Sequence, residues 1–384
     1  MNRVAALVVR HFGRVTSGEK LIPEVDGLRF LAILPVVLHH LQIFVTERSP
    51  TPFLDTPWSR LLQDVIRQGR YGVDLFFVLS GFILALPFAR AARGRGNPVN
   101  LKRYYLRRLT RIEPPYVVSL LLLFALSALV KGADTARALL PNLGASLLYV
   151  HTLLLGENSR INSVAWSLEV EVQFYLVVPL LVHVFRLPVR TRRFLLLLGA
   201  VAPAVANPLG WPGARPSLLV FLQYFLVGFL LADLYLTAGG WRQTRRTFLA
   251  DGWVLAAMLA WYGLHRLDWA VSEVVLPGVL GVVVWAAFRG RALGWICCNL
   301  FIRTVGGMCY SIYLLHYPTI SLVGRFTVGV DASPHYPLHF LIQALLVLPA
   351  VLMVAALFFV LVERPCMVPD WPRRLVQRLS PGRA

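Results

Sequence analysis

The chain has 384 residues, of which 57% are hydrophobic and only 15% are charged. A soluble domain does not need this balance, and repeated apolar windows of about 20 residues indicate a multi-spanning helical membrane protein. The net charge of +19 would suit a nucleic-acid-binding protein, but Lys and Arg are concentrated in short loops between apolar runs, as in cytoplasmic loops of membrane proteins. We therefore expect no nucleic-acid partner and predict an all-α polytopic membrane helix bundle.

Ten apolar segments are long enough to cross the roughly 30 Å hydrocarbon core of a bilayer. They lie at roughly 27–46, 71–90, 112–131, 164–185, 194–210, 217–237, 251–266, 269–288, 305–324 and 337–361. With the N-terminus in the cytoplasm, ten spans place the Arg-rich loops on the cytoplasmic side, as the positive-inside rule requires. A segment at 138–155 is interrupted by Pro141, Asn142 and Gly144, and letting it cross would reverse every later loop. We therefore predict about ten transmembrane helices, both termini cytoplasmic, and a re-entrant or surface helix at 138–155.

The chain is organised as one membrane domain at 23–365, with a basic cytoplasmic segment at 1–22 and a basic cytoplasmic tail at 366–384. The apolar run at 4–9 is too short for a cleaved signal peptide. The four cysteines, Cys297, Cys298, Cys309 and Cys366, lack metal-binding spacing. We interpret them as apolar packing residues and expect no metal site.

The first span contains a basic residue and two histidines in the run PEVDGLRFLAILPVVLHH at 23–40. Lipid solvates such side chains poorly, so they normally face a bundle interior or a wet cavity. Eleven steps of about 100° return Arg29 and His40 to one helix face, roughly 16 Å apart. Asp26 lies close to that face, whereas His39 points away. His40 is therefore either a structural histidine bonded to another helix or a functional base.

The next two spans also begin with charged residues. The second opens with GVDLFFVLSGF at 72–82, in which Asp74 is either a helix N-cap or a functional carboxylate. Gly81 follows one heptad later and predicts a close backbone approach. The third span is preceded by RYYLRRLTRIEPPY at 103–116. Its arginines either anchor the protein to anionic lipid or bind phosphate groups, which guanidinium groups grip bidentately.

The fourth span opens with WSLEVEVQFY at 166–175, which carries two carboxylates. Helical spacing places Ser167, Glu171 and Tyr175 on one stripe and Glu169 with Gln173 on another. Carboxylates facing lipid would be costly, so these stripes should face protein or a cavity. For each carboxylate, the alternative to a functional role is a structural hydrogen bond.

The ninth span contains YSIYLLHYP at 310–318. Tyr310 and Tyr313, with either His316 or Tyr317, form a polar-aromatic stripe at three- and four-residue spacing. His316 is either a core histidine or a catalytic one. The last span ends with VERP at 362–365. We expect Glu363 and Arg364 to anchor or cap the helix at the cytoplasmic face.

These blocks, in this order, resemble the acyltransferase-3 family across essentially the whole chain. The resemblance rests on the Asp-Gly-Leu-Arg opening with a histidine eleven residues after the arginine, the 72–82 block, the arginine-rich block, the Trp-Ser-Leu block and the two closing blocks. That family comprises polytopic membrane proteins that O-acylate carbohydrates and related acceptors. The glutamate of the family's Trp-Ser-Leu motif aligns with Glu171. This chain has an additional carboxylate, Glu169, which leaves open which of the two acts.

The resemblance implies roles for particular residues. The catalytic candidates are His40, Glu171, Asp74 and His316. The candidates for binding the donor are Arg29, Arg107, Arg108 and Arg111. The candidates for contacting the acceptor are Trp166, Ser167, Gln173, Tyr175 and Tyr313. We expect no permanently bound cofactor; the expected partners are acyl-CoA, most simply acetyl-CoA, as donor, a carbohydrate or glycoside as acceptor, and the lipid bilayer.

The resulting hypothesis is direct transfer, in which His40 deprotonates a hydroxyl that attacks the thioester. A covalent acyl-enzyme through Ser80, Ser167 or His316 is an alternative, although the chain has no Gly-x-Ser-x-Gly motif. The expected setting is a bacterial inner membrane and the modification of envelope polysaccharide, such as O-antigen of lipopolysaccharide or capsule. A transporter that uses intramembrane His, Glu and Asp is the competing interpretation.

Overall fold

The computed structural model describes residues 11–15, 21–206, 216–237, 239, 241, 245–330, 333–368 and 371. Within these ranges the chain forms helices and short helical turns, and contains no β-strand beyond one isolated bridge between Thr247 and Gly290. The protein is thus the all-α bundle that its hydropathy predicts.

The helices follow one another with short connections. The α-helices are α1 (Pro23–Arg48), α2 (Pro57–Arg67), α3 (Gly72–Ala92), α4 (Leu101–Lys131), α5 (Ala133–Leu147), α6 (His151–Leu155), α7 (Trp166–Leu181), α8 (Val189–Ala206), α9 (Leu218–Thr237) and α10 (Phe248–Leu267). They continue with α11 (Trp269–Arg289), α12 (Ala292–Cys298), α13 (Leu300–Gly307), α14 (Cys309–Thr327), α15 (Tyr336–Phe358) and α16 (Arg364–Cys366). A 3-10 turn precedes α3 at Gln68–Tyr71, another precedes α7 at Ser163–Ala165, and a third follows α7 at Val182–Arg186. A π-helical turn at Phe359–Glu363 joins α15 to α16.

In the described part of the chain, seven helical stretches are long and apolar enough to cross a membrane, so the protein is a polytopic membrane protein. They are Pro23–Arg48, Pro57–Ala92, Leu101–Lys131, Ser163–Arg186, Leu218–Thr237, Trp269–Arg289 and Tyr336–Cys366.

By this measure the number of spans is smaller than the ten predicted. The other three expected spans, 194–210, 251–266 and 305–324, fall on α8, α10 and the pair α13–α14, and 207–210 lie outside the described residues. Helix α8 starts with three arginines in its first five residues. The break at Met308 divides the third segment into two helices.

The segment 138–155 forms the end of α5 and all of α6 rather than one continuous helix. At about 1.5 Å per residue, the 15 residues of α5 reach only roughly 22 Å, which is less than the hydrocarbon core. The chain returns along α4, because the Tyr149 hydroxyl donates to Oε2 of Glu113 at 2.7 Å and the Tyr116 hydroxyl donates to the carbonyl of Ser146 at 3.1 Å. Helices α4 and α5 therefore form a hairpin, and α5 is too short to span.

Glycines allow two helix pairs to approach closely around the site described below. A Cβ on Gly81 of α3 would collide with the carbonyl oxygen of Phe225 in α9, and one on Gly228 of α9 would collide with that of Val78. This contact confirms the close approach predicted for Gly81. A Cβ on Gly306 of α13 would likewise collide with the carbonyl of Asp26. Small residues thus hold α3 on α9 and α13 on the start of α1.

Candidate active site

Two connected cavities lie between the helices that carry the predicted site residues. The first, the narrow chamber, has a volume of about 160 Å³ and is bordered by α1, α3, α4, α7 and α14. The second, the wide chamber, has a volume of about 560 Å³ and is bordered by the start of α1, the end of α3 and the start of α4. Arg14, Ile83, Arg108 and Arg111 line both. They mark where the wide chamber narrows.

The wide chamber is strongly cationic. The arginines that line it are Arg14, Arg103, Arg107, Arg108 and Arg111, and the carboxylate among its lining residues is Asp26. Four of these arginines belong to the first turns of α4, and three of the four, Arg107, Arg108 and Arg111, are predicted donor-binding residues. The arrangement suits an anionic ligand of several phosphate groups, because guanidinium groups bind phosphate oxygens in pairs.

The predicted donor-binding arginines are brought together by this arrangement. Arg29 lines the narrow chamber, Arg107 the wide chamber, and Arg108 and Arg111 both. Arg29 Nη1 donates to Asp26 Oδ1 at 2.5 Å across one turn of α1. The Arg108 guanidinium lies over the ring of Tyr104, 5.2 Å from its centroid. The role of these arginines in donor binding stays a prediction.

The structure separates the two carboxylates of α7. Glu171 lines the narrow chamber, where its Oε1 accepts hydrogen bonds from Ser80 Oγ at 2.7 Å and from the Tyr175 hydroxyl at 2.5 Å. Glu169 is 2% exposed and its Oε2 accepts from the backbone N–H of Thr152 at 2.9 Å. Glu171 is therefore the carboxylate that faces the cavity, and Glu169 holds the start of α6.

Of the residues predicted to contact the acceptor, Ser167, Tyr175 and Tyr313 line the narrow chamber. Ser167 Oγ donates to the Tyr313 hydroxyl at 3.1 Å, and that hydroxyl donates to the carbonyl of Val164 at 2.5 Å. These bonds fix both side chains in the wall of the chamber.

Trp166 and Gln173 lie elsewhere. The Trp166 ring packs against Phe221, with 5.3 Å between centroids, and Gln173 Oε1 accepts from the backbone N–H of Leu218 at 2.9 Å. Neither is among the residues that line the two chambers. Gln173 holds the start of α9 because it projects from the opposite side of α7 to Glu171.

His40 and His316 meet across α1 and α14, with 3.0 Å between His40 Nδ1 and His316 Nε2. His316 Nδ1 lies 3.0 Å and 2.8 Å from the carbonyl oxygens of Ile312 and Tyr313. Carbonyls only accept, so Nδ1 of His316 carries a proton, and in the neutral ring Nε2 is then an acceptor. His40 must therefore donate from Nδ1, which leaves the lone pair on its Nε2. This bonding assigns the tautomer that a general base needs.

The histidine pair lies just beyond the narrow chamber. Val36 and Tyr313 line the chamber, and they precede His40 and His316 by four and three residues. One helical turn, about 5.4 Å along the axis, thus separates the end of the chamber from the pair. His316 is fully buried, whereas His40 is partly exposed.

Asp74 does not join the pair. It is 7% exposed in the first turn of α3, and its charged neighbours are Glu273 and Arg70. Among the described residues, the hydrogen bonds of the two histidines run to each other and to backbone carbonyls. Asp74 faces α11 rather than α14, so the structure does not place it where it would orient His40.

Two residues of the site were missed or misread from the sequence. Glu363, expected to anchor or cap the last span at the cytoplasmic face, is 1% exposed and lines the narrow chamber. Its Oε2 accepts from the backbone N–H of Ser311 at 3.0 Å and from Ser311 Oγ at 2.5 Å. Arg14 lines both chambers, although it lies in the segment expected to be a basic terminal extension. Its charge was the available signal, but nothing in the sequence indicated that the segment folds back onto the bundle.

Comparisons with known proteins give a consistent result. A family model described as an acyltransferase domain matches residues 22–362. The chain is 26% identical over 332 residues to peptidoglycan O-acetyltransferase OatA of Listeria monocytogenes, and 26% identical over 348 residues to the putative peptidoglycan O-acetyltransferase YrhL of Bacillus subtilis. These matches cover 79% and 80% of this chain, which spans only half the length of each relative.

A third relative is matched along most of its length. The chain is 26% identical over 383 residues to acyltransferase MdmB of Streptomyces mycarofaciens, and the match covers 90% of this chain and 92% of that protein. No solved structure matches the chain. Because the family model extends over nearly the whole chain, from the start of α1 to beyond the end of α15, this membrane protein belongs to the acyltransferase-3 family.

Proposed function

We propose that the protein is a membrane O-acyltransferase that moves an acyl group, most simply acetyl, from acyl-CoA to a hydroxyl of a carbohydrate. The observation that carries the proposal is the continuity of the site: an arginine-lined chamber leads into a narrow one that ends one helical turn from a base with a free lone pair. The family membership supports group transfer over the alternative of transport.

The wide chamber suits the nucleotide end of CoA. Its volume of about 560 Å³ falls within the range of roughly 300–1,000 Å³ found for small-molecule sites. The narrow chamber suits the slender pantetheine arm, because apolar side chains of α1 and α3 form much of its wall. Arg29 and His40 are roughly 16 Å apart along α1, a distance that the extended arm covers. The thioester would then lie near Val36, next to His40.

The reaction at that point is a single acyl transfer. His40 Nε2 accepts the proton of the acceptor hydroxyl while its oxygen attacks the thioester carbonyl carbon. The new C–O bond forms, the C–S bond breaks, and the leaving thiolate takes the proton back from His40. His316 keeps the His40 ring in the required tautomer, and no covalent intermediate with Ser80, Ser167 or His316 is required.

The acceptor class rests on the relatives rather than on the cavity. Two of them are named as peptidoglycan O-acetyltransferases, one of these putatively, and the three relatives described above come from bacteria. We therefore propose a bacterial inner-membrane enzyme that acylates a glycan of the cell envelope. These names favour a peptidoglycan-like acceptor over the O-antigen of lipopolysaccharide.

The test is a transfer assay with purified protein in lipid nanodiscs. Acetyl-CoA carrying a labelled acetyl group is incubated with peptidoglycan fragments, with lipopolysaccharide and without acceptor. We expect free CoA thiol and alkali-labile labelled ester in equal amounts, only when an acceptor is present. Label that stays on the protein, or thiol release that is independent of every acceptor, would contradict direct transfer. Uptake of a solute into proteoliposomes without thioester consumption would support the transporter.

A further inference from the structure

A cationic side chain from outside the family domain lies where the two chambers meet. Arg14 precedes residue 22, at which the family match begins, yet it lines both chambers. The neighbouring segment is packed on the bundle, because Phe12 and Val15 lie against a core cluster formed by α1, α13, α14 and α15. Arg364 Nε also donates to the carbonyl of Gly13 at 3.4 Å.

The positive charge of Arg14 is only partly compensated by its neighbours. Its Nη1 donates to Asp26 Oδ1 at 3.0 Å, but the same oxygen accepts from Arg29 at 2.5 Å. One carboxylate thus serves two guanidinium groups, and Arg14 Nε is buried without a hydrogen-bond partner among the described residues. Burial, together with the nearby cations Arg111 and Arg29, lowers the pKa of Arg14 to about 9. A buried N–H donor without a partner is costly, and the surrounding charge is positive. The position of Arg14 therefore suits an anionic ligand.

The location distinguishes among the phosphate groups of CoA. Arg14, Arg108 and Arg111 line both chambers and therefore ring the junction, whereas Arg103 and Arg107 line the wide chamber alone. When the pantetheine arm occupies the narrow chamber, the diphosphate to which it is joined lies at the junction. The 3′-phosphate on the ribose then remains in the wide chamber.

We propose that Arg14 is part of the donor site and binds the diphosphate of acyl-CoA at the junction. This inference rests on the proposed function. It makes the segment at 11–15, which precedes the family domain, a functional part of the enzyme. It also divides the arginines by role: the junction group binds the diphosphate, and Arg107 binds the 3′-phosphate.

Three donors test the assignment. Acetyl-CoA carries both groups, acetyl-dephospho-CoA retains the diphosphate but lacks the 3′-phosphate, and acetyl-pantetheine lacks both. We expect Arg14→Gln to raise KM about 10- to 100-fold for acetyl-CoA and for acetyl-dephospho-CoA, because a charge-assisted contact is lost. It should leave acetyl-pantetheine unchanged. Arg107→Gln should raise KM only for acetyl-CoA.

Controls separate binding from folding. Arg291→Gln changes an exposed arginine that lines neither chamber, and should not alter KM for any donor. Arg14→Lys retains the positive charge but not the bidentate geometry of the guanidinium group, so its KM should fall between those of the wild type and Arg14→Gln. If Arg14→Gln loses its cooperative thermal unfolding, the comparison of the three donors is made with Arg14→Lys.

The outcomes distinguish this inference from the proposed function. A wild-type protein that uses none of the three donors would overturn the proposed function. A wild-type protein that prefers acetyl-CoA, with an Arg14 variant that handles all donors as the wild type does, would overturn only the role of Arg14. An equal loss for all three donors, including acetyl-pantetheine, would show that Arg14 acts through Asp26 and the fold.

Discussion

The two ends of the site are built in different ways. The wide chamber takes four of its arginines from consecutive turns of a single helix, α4. The histidine pair joins side chains that are 276 residues apart and come from α1 and α14. The first end is a local property of the sequence and tolerates some rearrangement, because charge acts over several ångströms. The second exists only when two helices pack in one register, because its two imidazoles must come within hydrogen-bonding distance of each other.

This contrast predicts that binding and chemistry can be lost separately. The largest effect is expected for His40→Ala, which removes the base. The kcat should fall about 10²- to 10⁴-fold, while the affinity for CoA, measured by calorimetry, stays within a factor of about two. His183→Ala is the matched control, since His183 is exposed in the 3-10 turn after α7. Loss of CoA affinity in His40→Ala would mean that the two ends are not independent.

His316 should act by positioning the base rather than by touching substrate. His316→Leu removes the acceptor for His40 Nδ1–H, and kcat should fall about 10- to 100-fold with KM unchanged. His316→Gln should recover part of that loss, because its amide oxygen can accept the same bond. The measurement is the pH dependence of kcat for both variants. Equal activity of the two variants would argue against control of the tautomer.

At the arginine-lined end of the site, a substitution should change KM rather than kcat. Arg108→Gln removes a guanidinium from the junction, so KM for acetyl-CoA should rise about tenfold while kcat changes little. Raising the salt concentration should weaken donor binding in the wild type and less so in the variant. A drop in kcat as large as that of His40→Ala would contradict a binding role.

The smallest effects should separate the two carboxylates of α7. Glu171→Ala removes the acceptor for Ser80 and Tyr175 at the chamber wall, and we expect about a tenfold loss of kcat/KM with little change in thermal stability. Glu169→Ala leaves the buried N–H of Thr152 without its partner, which should cost about 1–3 kcal/mol of stability and spare kcat in the folded fraction. The reverse pattern would mean that Glu169 is the functional carboxylate.

Much of the fold follows from the sequence, because span length and apolar composition are local properties. Hydropathy was sufficient for the all-α membrane bundle and for most of the helices within the described ranges. Gly81 was also informative, since a glycine at a helix face permits one specific kind of packing. The number of spans was harder to predict, because hydropathy alone does not take account of the arginines at the start of α8 or of the break between helices at Met308.

The site was only partly predictable for a geometric reason. Periodicity indicates which residues share a face, but not which helix covers that face. Glu171 and Gln173 differ by about 200° around α7, so the cavity could take only one of them. Asp74 shares its span with Ser80, yet it faces α11. Glu363 and Arg14 could not be placed, because one depends on the packing of the last helix and the other on a segment that folds back.

The most direct test of the account is a structure of the protein in nanodiscs with a non-hydrolysable acetyl-CoA analogue. We predict that the diphosphate lies among Arg14, Arg108 and Arg111, that the pantetheine arm fills the narrow chamber, and that the thioester isostere lies beside Nε2 of His40. An analogue bound outside the two chambers, or one whose arm ends far from the histidine pair, would contradict the account.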